Sequence, residues 1–99
     1  MFSVIYHPRA ERELIKAARL YNKKVPGLGA DLLEEVDRAV AAILQEPTRW
    51  RMFEKDFRRY VVKRFRYSII YRIRGDEIRV LAVAHHSRDP DFWKHRAQK

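Results

Sequence analysis

The sequence predicts an α+β domain: an antiparallel sheet of about four strands with an N-terminal helical hairpin packed on one face, in the order β-α-α-β-β-β-α. Three observations predict it. Apolar residues recur at three- and four-residue steps as far as position 45, and from Arg58 onward the period changes to two. Gly75-Asp76 then separates two alternating runs, as a hairpin turn would. At 99 residues the chain has room for one domain, taken as residues 1–99.

Phe2 to Tyr6 is short, apolar and partly β-branched, and stops at His7-Pro8, so it reads as a first strand. Pro8 suits the opening turn of a helix, where its missing N–H costs nothing. Ala10, Leu14, Ala17, Ala18 and Tyr21 then mark a helix over about 8–23. Val25 to Gly29 is the densest turn signal. Beyond it Leu33, Val36, Val40 and Ile43 form a second helical stripe that ends before Pro47. About six residues join the two, which predicts an antiparallel hairpin with one apolar face.

Arg59 to Lys63, Tyr67 to Arg74 and Glu77 to Ala84 read as strands. Glycine first in the Gly75-Asp76 loop suits a type II′ turn and sets a register in which Arg74 faces Glu77, Tyr71 faces Val80, Ile70 faces Leu81 and Arg66 faces His85. That register puts Tyr67, Ile69, Tyr71, Ile73, Ile78, Val80, Ala82 and Ala84 on the face that the helices should cover. The other face has Ile70, Leu81 and Val83 along its middle, with Arg66, Arg72, Arg74, Arg79 and His85 around them. Asp89-Pro90-Asp91 resembles a helix start, with Asp89 as N-cap, and predicts a short helix over 90–98.

Charge is unevenly placed. Residues 1–48 hold seven basic and seven acidic side chains and residues 49–99 hold fifteen and six, so the whole formal charge of +9 lies in the second half. Between Phe57 and Gly75 stand Arg58, Arg59, Lys63, Arg64, Arg66, Arg72 and Arg74 with no carboxylate among them, a density that calls for an acidic or phosphate-bearing partner. A 46% hydrophobic content is enough for a modest core and argues against disorder. The absence of cysteine excludes disulfides, thiolate nucleophiles and cysteine-based metal sites. No apolar run approaches a membrane span, and Met1 to Tyr6 lacks the basic and apolar regions of a leader, so a cytoplasmic protein is expected.

Few residues offer catalytic chemistry. His85 and His86 are neighbours at a strand end and point to opposite sides, so they cannot share a metal ion. His85, on the basic face in the predicted register, is a candidate general acid or base. Glu34, Glu35, Asp37, Glu54 and Asp56 read as solvated. Gly27 and Gly29 fall in the interhelical turn, so there is no glycine-rich phosphate loop. No metal or cofactor is expected. Trp50, Phe53, Phe92 and Trp93 read as core or lid packing, or as platforms on which bases stack.

The order of elements, with the opening "VIYHPRAERELIKAARLY" and the later run "RRYVVKRFRYSIIYRIRGDEIRVLAVAHHSRDPDFW", resembles the RelE/ParE superfamily of type II toxin–antitoxin toxins over nearly the whole chain. The resemblance implies a bacterial growth inhibitor neutralised by a cognate antitoxin with an acidic tail. RelE-like members cut messenger RNA in the ribosomal A site, and ParE-like members poison DNA gyrase. Arg58, Arg59, Lys63, Arg64 and Arg66 match the basic sheet side chains that hold phosphate in RelE-like ribonucleases. In the tail, however, a RelE arginine falls at His86 and its tyrosine at Phe92, which has no hydroxyl.

The "HSR" of His86-Ser87-Arg88 is more similar to ParE-like tails, so the expectation is a ParE-like gyrase poison with Arg88 among its target contacts. The alternative is a metal-independent ribonuclease in which a 2′-hydroxyl attacks the adjacent phosphate, with His85 or His86 in proton transfer. In either case the partner is a ParD-like or other acidic-tailed antitoxin in a hetero-oligomer. It is expected to dock on Ile70, Leu81 and Val83 with Arg72 and Arg79 at the rim.

Overall fold

A computed structural model describes residues 1–98, leaving Lys99 of the predicted domain outside the described residues. Strand β1 is Ser3–Tyr6, helix α1 is Pro8–Lys24 and helix α2 is Leu28–Gln45. The remaining strands are β2, Met52–Glu54; β3, Phe57–Val62; β4, Tyr67–Arg74; and β5, Glu77–His85. They form one sheet in the order β1-β5-β4-β3-β2. The sheet has five strands rather than about four, and it is mixed, because β1 runs parallel to β5.

The helical hairpin forms as the pattern predicts, with a tighter turn of three residues, Val25 to Gly27. Gly27 starts α2 at φ +90°, a backbone region open to glycine. Gly29 is required for a different reason. A Cβ there would stand 2.1 Å from the Ala18 carbonyl oxygen, so its bare Cα lets the helices meet, and its N–H donates to Asn22 Oδ1 at 2.7 Å. The hairpin buries Ala10, Ala17, Leu32, Val36 and Ile43 against Ile69, Tyr71, Ile78, Val80 and Val83 of the sheet. Tyr71 reaches through this layer to donate to the Pro47 carbonyl at 2.7 Å, and burial pushes its hydroxyl pKa up to about 12.

Two connections carry no glycine. Lys55, at φ 49°, turns β2 into β3, and Arg66, at φ 57°, closes a 3₁₀ turn over Lys63–Phe65 before β4. The Arg66 carbonyl is held by the His86 N–H at 2.9 Å, so tertiary contact supports a conformation that the residue alone disfavours.

The β4–β5 hairpin keeps the predicted pairs from Arg74–Glu77 to Tyr71–Val80. Gly75 has φ +60° and Asp76 is absent from the positive-φ residues, as a type II′ turn requires. Beyond Val80 the register departs from the expected one, because a β-bulge gives β5 one extra residue. Ile70 pairs with Ala82, Ile69 with Val83, Ser68 with Ala84 and Tyr67 with His85. From Ala82 onward every β5 side chain changes sides. Val83 joins the helix-covered core, while Leu81, Ala82 and Ala84 lie with Ile70 on the second face.

That second face is covered in part by the chain's own C-terminal segment. The expected helix over 90–98 is instead a series of turns followed by a 3₁₀ helix, Lys94–Gln98. Asp89 Oδ1 does accept the Asp91 N–H, but the hydrogen bonds that follow span three residues, from Phe92 to Asp89, Lys94 to Asp91 and Arg96 to Trp93. Three-residue spacing stacks Trp93 and Arg96 on one side, where both are buried against the sheet.

Candidate functional site

The second face divides into a neutralised end and an open groove. At the first end Asp56 Oδ1 accepts from Arg72 Nη2 at 2.8 Å, and Asp56 Oδ2 accepts from Arg74. Burial alone would raise the Asp56 pKa, but the hydrogen bonds from Arg72 and Arg74 outweigh it and hold the carboxyl at about 2. Asp56 is therefore no solvated bystander. Arg72 also donates to the Ala97 carbonyl at 3.0 Å and lies over the Phe57 ring, which anchors the terminal segment. Glu54 holds Lys94 of the same segment at 2.8 Å.

The groove lies toward the other end, between β3 and the turn after β5, and has a volume of about 300 Å³. Val61, Ile70, Ala84 and Trp93 form its apolar floor. Ser68 Oγ and His86 Nε2, 3.0 Å apart, are its central polar pair. Arg59 stands on one rim with its guanidinium over Phe53, 4.6 Å from the ring centroid. Arg88 stands on another, 3.8 Å from the Phe92 centroid. Neither guanidinium has a carboxylate partner among the described residues.

The cations that seemed uncompensated in sequence thus fall into two sets. Arg58 faces the helices and donates to the carbonyls of Thr48 and Trp50 at 3.2 and 2.7 Å. Arg64 pairs with Asp31 of α2 at 3.1 Å, and Arg79 pairs with Glu77 at 3.0 Å. Arg59, Lys63, Arg66 and Arg88 are exposed without carboxylate partners among the described residues.

Two expectations change with the bulge. His85 turns from the middle of the basic face to its border: it pairs with Tyr67 beside the helices, rings 5.1 Å apart, with Nδ1 against Ser87 Oγ at 2.8 Å, and still lines the groove 6.5 Å from the His86 ring. His86 takes the place on the groove side. The expected antitoxin strip is also not open. Ile70 and Leu81 are 3% and 4% exposed beneath the terminal segment, Val83 lies on the opposite face, and Arg72 and Arg79 are already paired.

Sequence reasoning missed the best-buried ion pair. Arg96, 5% exposed, donates to both oxygens of Glu13 and to the Leu81 carbonyl. A glutamate on an amphipathic helix and an arginine in a basic tail carry no signal that they meet. Among the described residues no three side chains of His, Asp or Glu gather as a metal site would require.

A family profile described as ParE toxin of type II toxin-antitoxin system, parDE, matches residues 4–90. Among solved structures the fold is similar to a chain of the chromosomal ParDE TA system from P. aeruginosa. That likeness has 20% sequence identity and a TM-score of 0.76, over 86% of this chain and 96% of that one. No curated protein matches the chain.

Proposed function

Since the chain belongs to the ParE toxin family of type II toxin–antitoxin systems, we propose that it arrests bacterial growth by poisoning DNA gyrase in the cytoplasm and is held in check by a ParD-like antitoxin with an acidic tail. The family match over residues 4–90 carries the reading. The chemistry of the groove supports it. A ribonuclease needs an acid and a base free to act on one phosphate, and here the His85 and His86 rings, 6.5 Å apart at the groove, are each engaged already, His86 Nε2 with Ser68 Oγ and His85 Nδ1 with Ser87 Oγ. Phe92 supplies no hydroxyl and is packed against guanidinium groups.

The antitoxin reading keeps its partner class and moves its contacts. Met52, Phe53 and Val61 are exposed apolar side chains at the β2–β3 edge, next to Arg59 and Lys63. An acidic amphipathic segment gains both apolar burial and charge pairing there. Engagement of Ile70 and Leu81 would in addition require the terminal segment to move.

The ribonuclease remains the second reading because His86 and Ser68 form a polar pair inside a cationic groove. One experiment separates the two. Purified protein added to gyrase should block supercoiling and accumulate cleaved DNA, with translation extracts unaffected. Intact supercoiling beside ribosome-dependent mRNA cutting would overturn the gyrase reading.

A further inference from the structure

We propose that the outer face of the α1–α2 hairpin is a docking surface for a second copy of this chain, with α1 of each copy lying along α2 of the other. This goes beyond the gyrase reading and does not depend on it.

The hairpin is electrically divided along its length. Arg9, Arg12, Lys16, Arg19 and Lys23 recur on α1 at three- and four-residue steps, so they form one exposed ridge about 21 Å long. None has a carboxylate partner among the described residues. Glu11 is the one exposed carboxylate of α1, and Glu13 is taken by Arg96. On α2 the exposed side reads Ala30, Glu34, Asp37 and Ala41 at the same steps, and neither Glu34 nor Asp37 pairs with a cation among the described residues. An apolar seam runs between the two ridges. Ile15 lies three residues before Ala18 and seven before Asn22, the two residues that meet Gly29, and Leu33 lies four after Gly29, so both follow the line where the helices touch. They are 42% and 39% exposed.

These three strips are self-complementary. Counting in opposite directions from the Gly29–Ala18 contact sets Glu34 level with the step between Arg12 and Lys16, and Asp37 level with the step between Arg9 and Arg12. A two-fold axis along the seam, parallel to the helices, turns one hairpin over onto the other and keeps these levels. Glu34 then faces Arg12 and Lys16 of the other copy, Asp37 faces Arg9 and Arg12, and Ile15 and Leu33 close on their own counterparts. Ala30 and Ala41 keep the outer side of α2 low, so the long cationic side chains can lie across it.

The remaining charge favours this face over any other. Residues 1–48 balance at seven basic and seven acidic side chains, and the excess of +9 lies in residues 49–99. Contact between hairpins joins the neutral halves and holds the cationic halves apart. Two helices of roughly 27 Å, side by side at about 9 Å, offer on the order of 500 Å² per copy, the low end of specific interfaces, so association in the micromolar range is expected. An acidic segment of another protein would engage the basic ridge alone and leave Glu34 and Asp37 unmatched.

The test is sedimentation velocity of the full-length protein. Wild type should pass from monomer to dimer between about 1 and 100 μM at low salt, and its dissociation constant should rise about tenfold when salt is raised to roughly 0.5 M. Arg12→Glu with Lys16→Glu reverses the centre of the basic ridge, and Glu34→Lys with Asp37→Lys reverses the acidic one. Each double variant should keep the circular dichroism of wild type and stay monomeric over the same range. Mixed in equal amounts, the two should form a heterodimer within about threefold of wild-type affinity, because every basic ridge then meets an acidic one. Both variants remain net positive, so their attraction requires the ridges themselves. A monomeric wild type, dimers that survive either double change, or a mixture that fails to associate would each overturn the surface. So would a wild-type monomer that captures a labelled acidic peptide through Arg12 and Lys16, which would give the ridge to a different partner.

Discussion

Arg96 and Glu13 form a two-pronged ion pair, Nη2 to Oε2 at 2.8 Å and Nη1 to Oε1 at 3.0 Å, at the point where β5 loses its neighbour. β1 accompanies β5 only as far as Val80. Just beyond, Arg96 Nη1 donates to the Leu81 carbonyl at 2.9 Å and Glu13 Oε1 accepts the Val83 N–H at 3.2 Å. The carboxylate thus stands where a strand carbonyl would, and the guanidinium where a strand N–H would, so the pair continues the sheet edge with side chains. It also joins α1 on one face to the terminal segment on the other.

Removing one partner of this pair should cost far more than its place near the termini suggests. Glu13→Ala leaves the Arg96 guanidinium buried without a counter-charge and the Val83 N–H without an acceptor. A loss of about 3 kcal/mol is expected, measured as a lower urea midpoint at unchanged slope. The double change Glu13→Leu with Arg96→Met should recover much of that loss, because it removes both charges together.

The extent to which the sequence foretold this arrangement follows from how local each signal is. The helices, Gly27 and the Gly75-Asp76 turn depend on nearby residues, and they were legible. The bulge was not. Val80-Leu81-Ala82-Val83-Ala84 is apolar throughout, so no polar residue marks the step at which the side chains change faces. That one step moved Val83 off the second face and exchanged His85 for His86. β2 and the Lys55 turn were equally silent, since no glycine announces the positive φ. The groove was half legible: Arg59 and Arg88 stood out by charge, but their freedom depends on Asp56, Asp31 and Glu77 occupying the other arginines.

Acid should weaken the fold through Asp56. Its folded pKa of about 2 lies below the ordinary 3.8, so its contribution is fully present above pH 3.8 and is lost as pH falls through about 2. Protonation releases Arg72 and Arg74 together and with them one anchor of the terminal segment. Asp56→Asn should be less stable than wild type at neutral pH and should show a flatter decline between pH 4 and 2, read from denaturation curves at each pH.

His7 adds a milder dependence at higher pH. Its Nδ1 accepts the Arg9 N–H at 3.1 Å and caps α1, and its pKa is lowered, first by desolvation and then by the charges of Arg96, Arg9 and His95. Because the folded state resists protonation, stability should decline as pH falls below 6.5, the ordinary value. His7→Asn retains a capping acceptor without a titrating group. Its melting temperature should therefore change less than that of wild type between pH 7 and 5.

Gly29→Ala tests the contact on which the helical hairpin depends. The added methyl would meet the Ala18 carbonyl at 2.1 Å, and that oxygen belongs to a helix backbone that cannot swing aside. Helix separation should cost about 3 kcal/mol. Gly27→Ala meets no atom within 4 Å, but it must adopt φ +90°, so a smaller loss of about 1 kcal/mol is expected. Thermal melts of the two variants should rank in that order, and the reverse ranking would show that backbone conformation rather than close approach governs this turn.

The two histidines offer a separate reading of toxicity, because their rings, 6.5 Å apart at the groove, are held by different partners. His86 touches Ser68 in the groove, and His85, at its border, touches Tyr67 and Ser87. If the protein acts on gyrase without proton transfer, alanine at either position should leave growth arrest on induced expression within a few-fold of wild type. A ribonuclease using the groove would instead lose arrest with His86→Ala, which removes the imidazole held against Ser68. Relief by His85→Ala alone would contradict the gyrase reading and would shift the working surface toward α1 and Tyr67, where Ala17, Leu20 and Lys24 lie with His85.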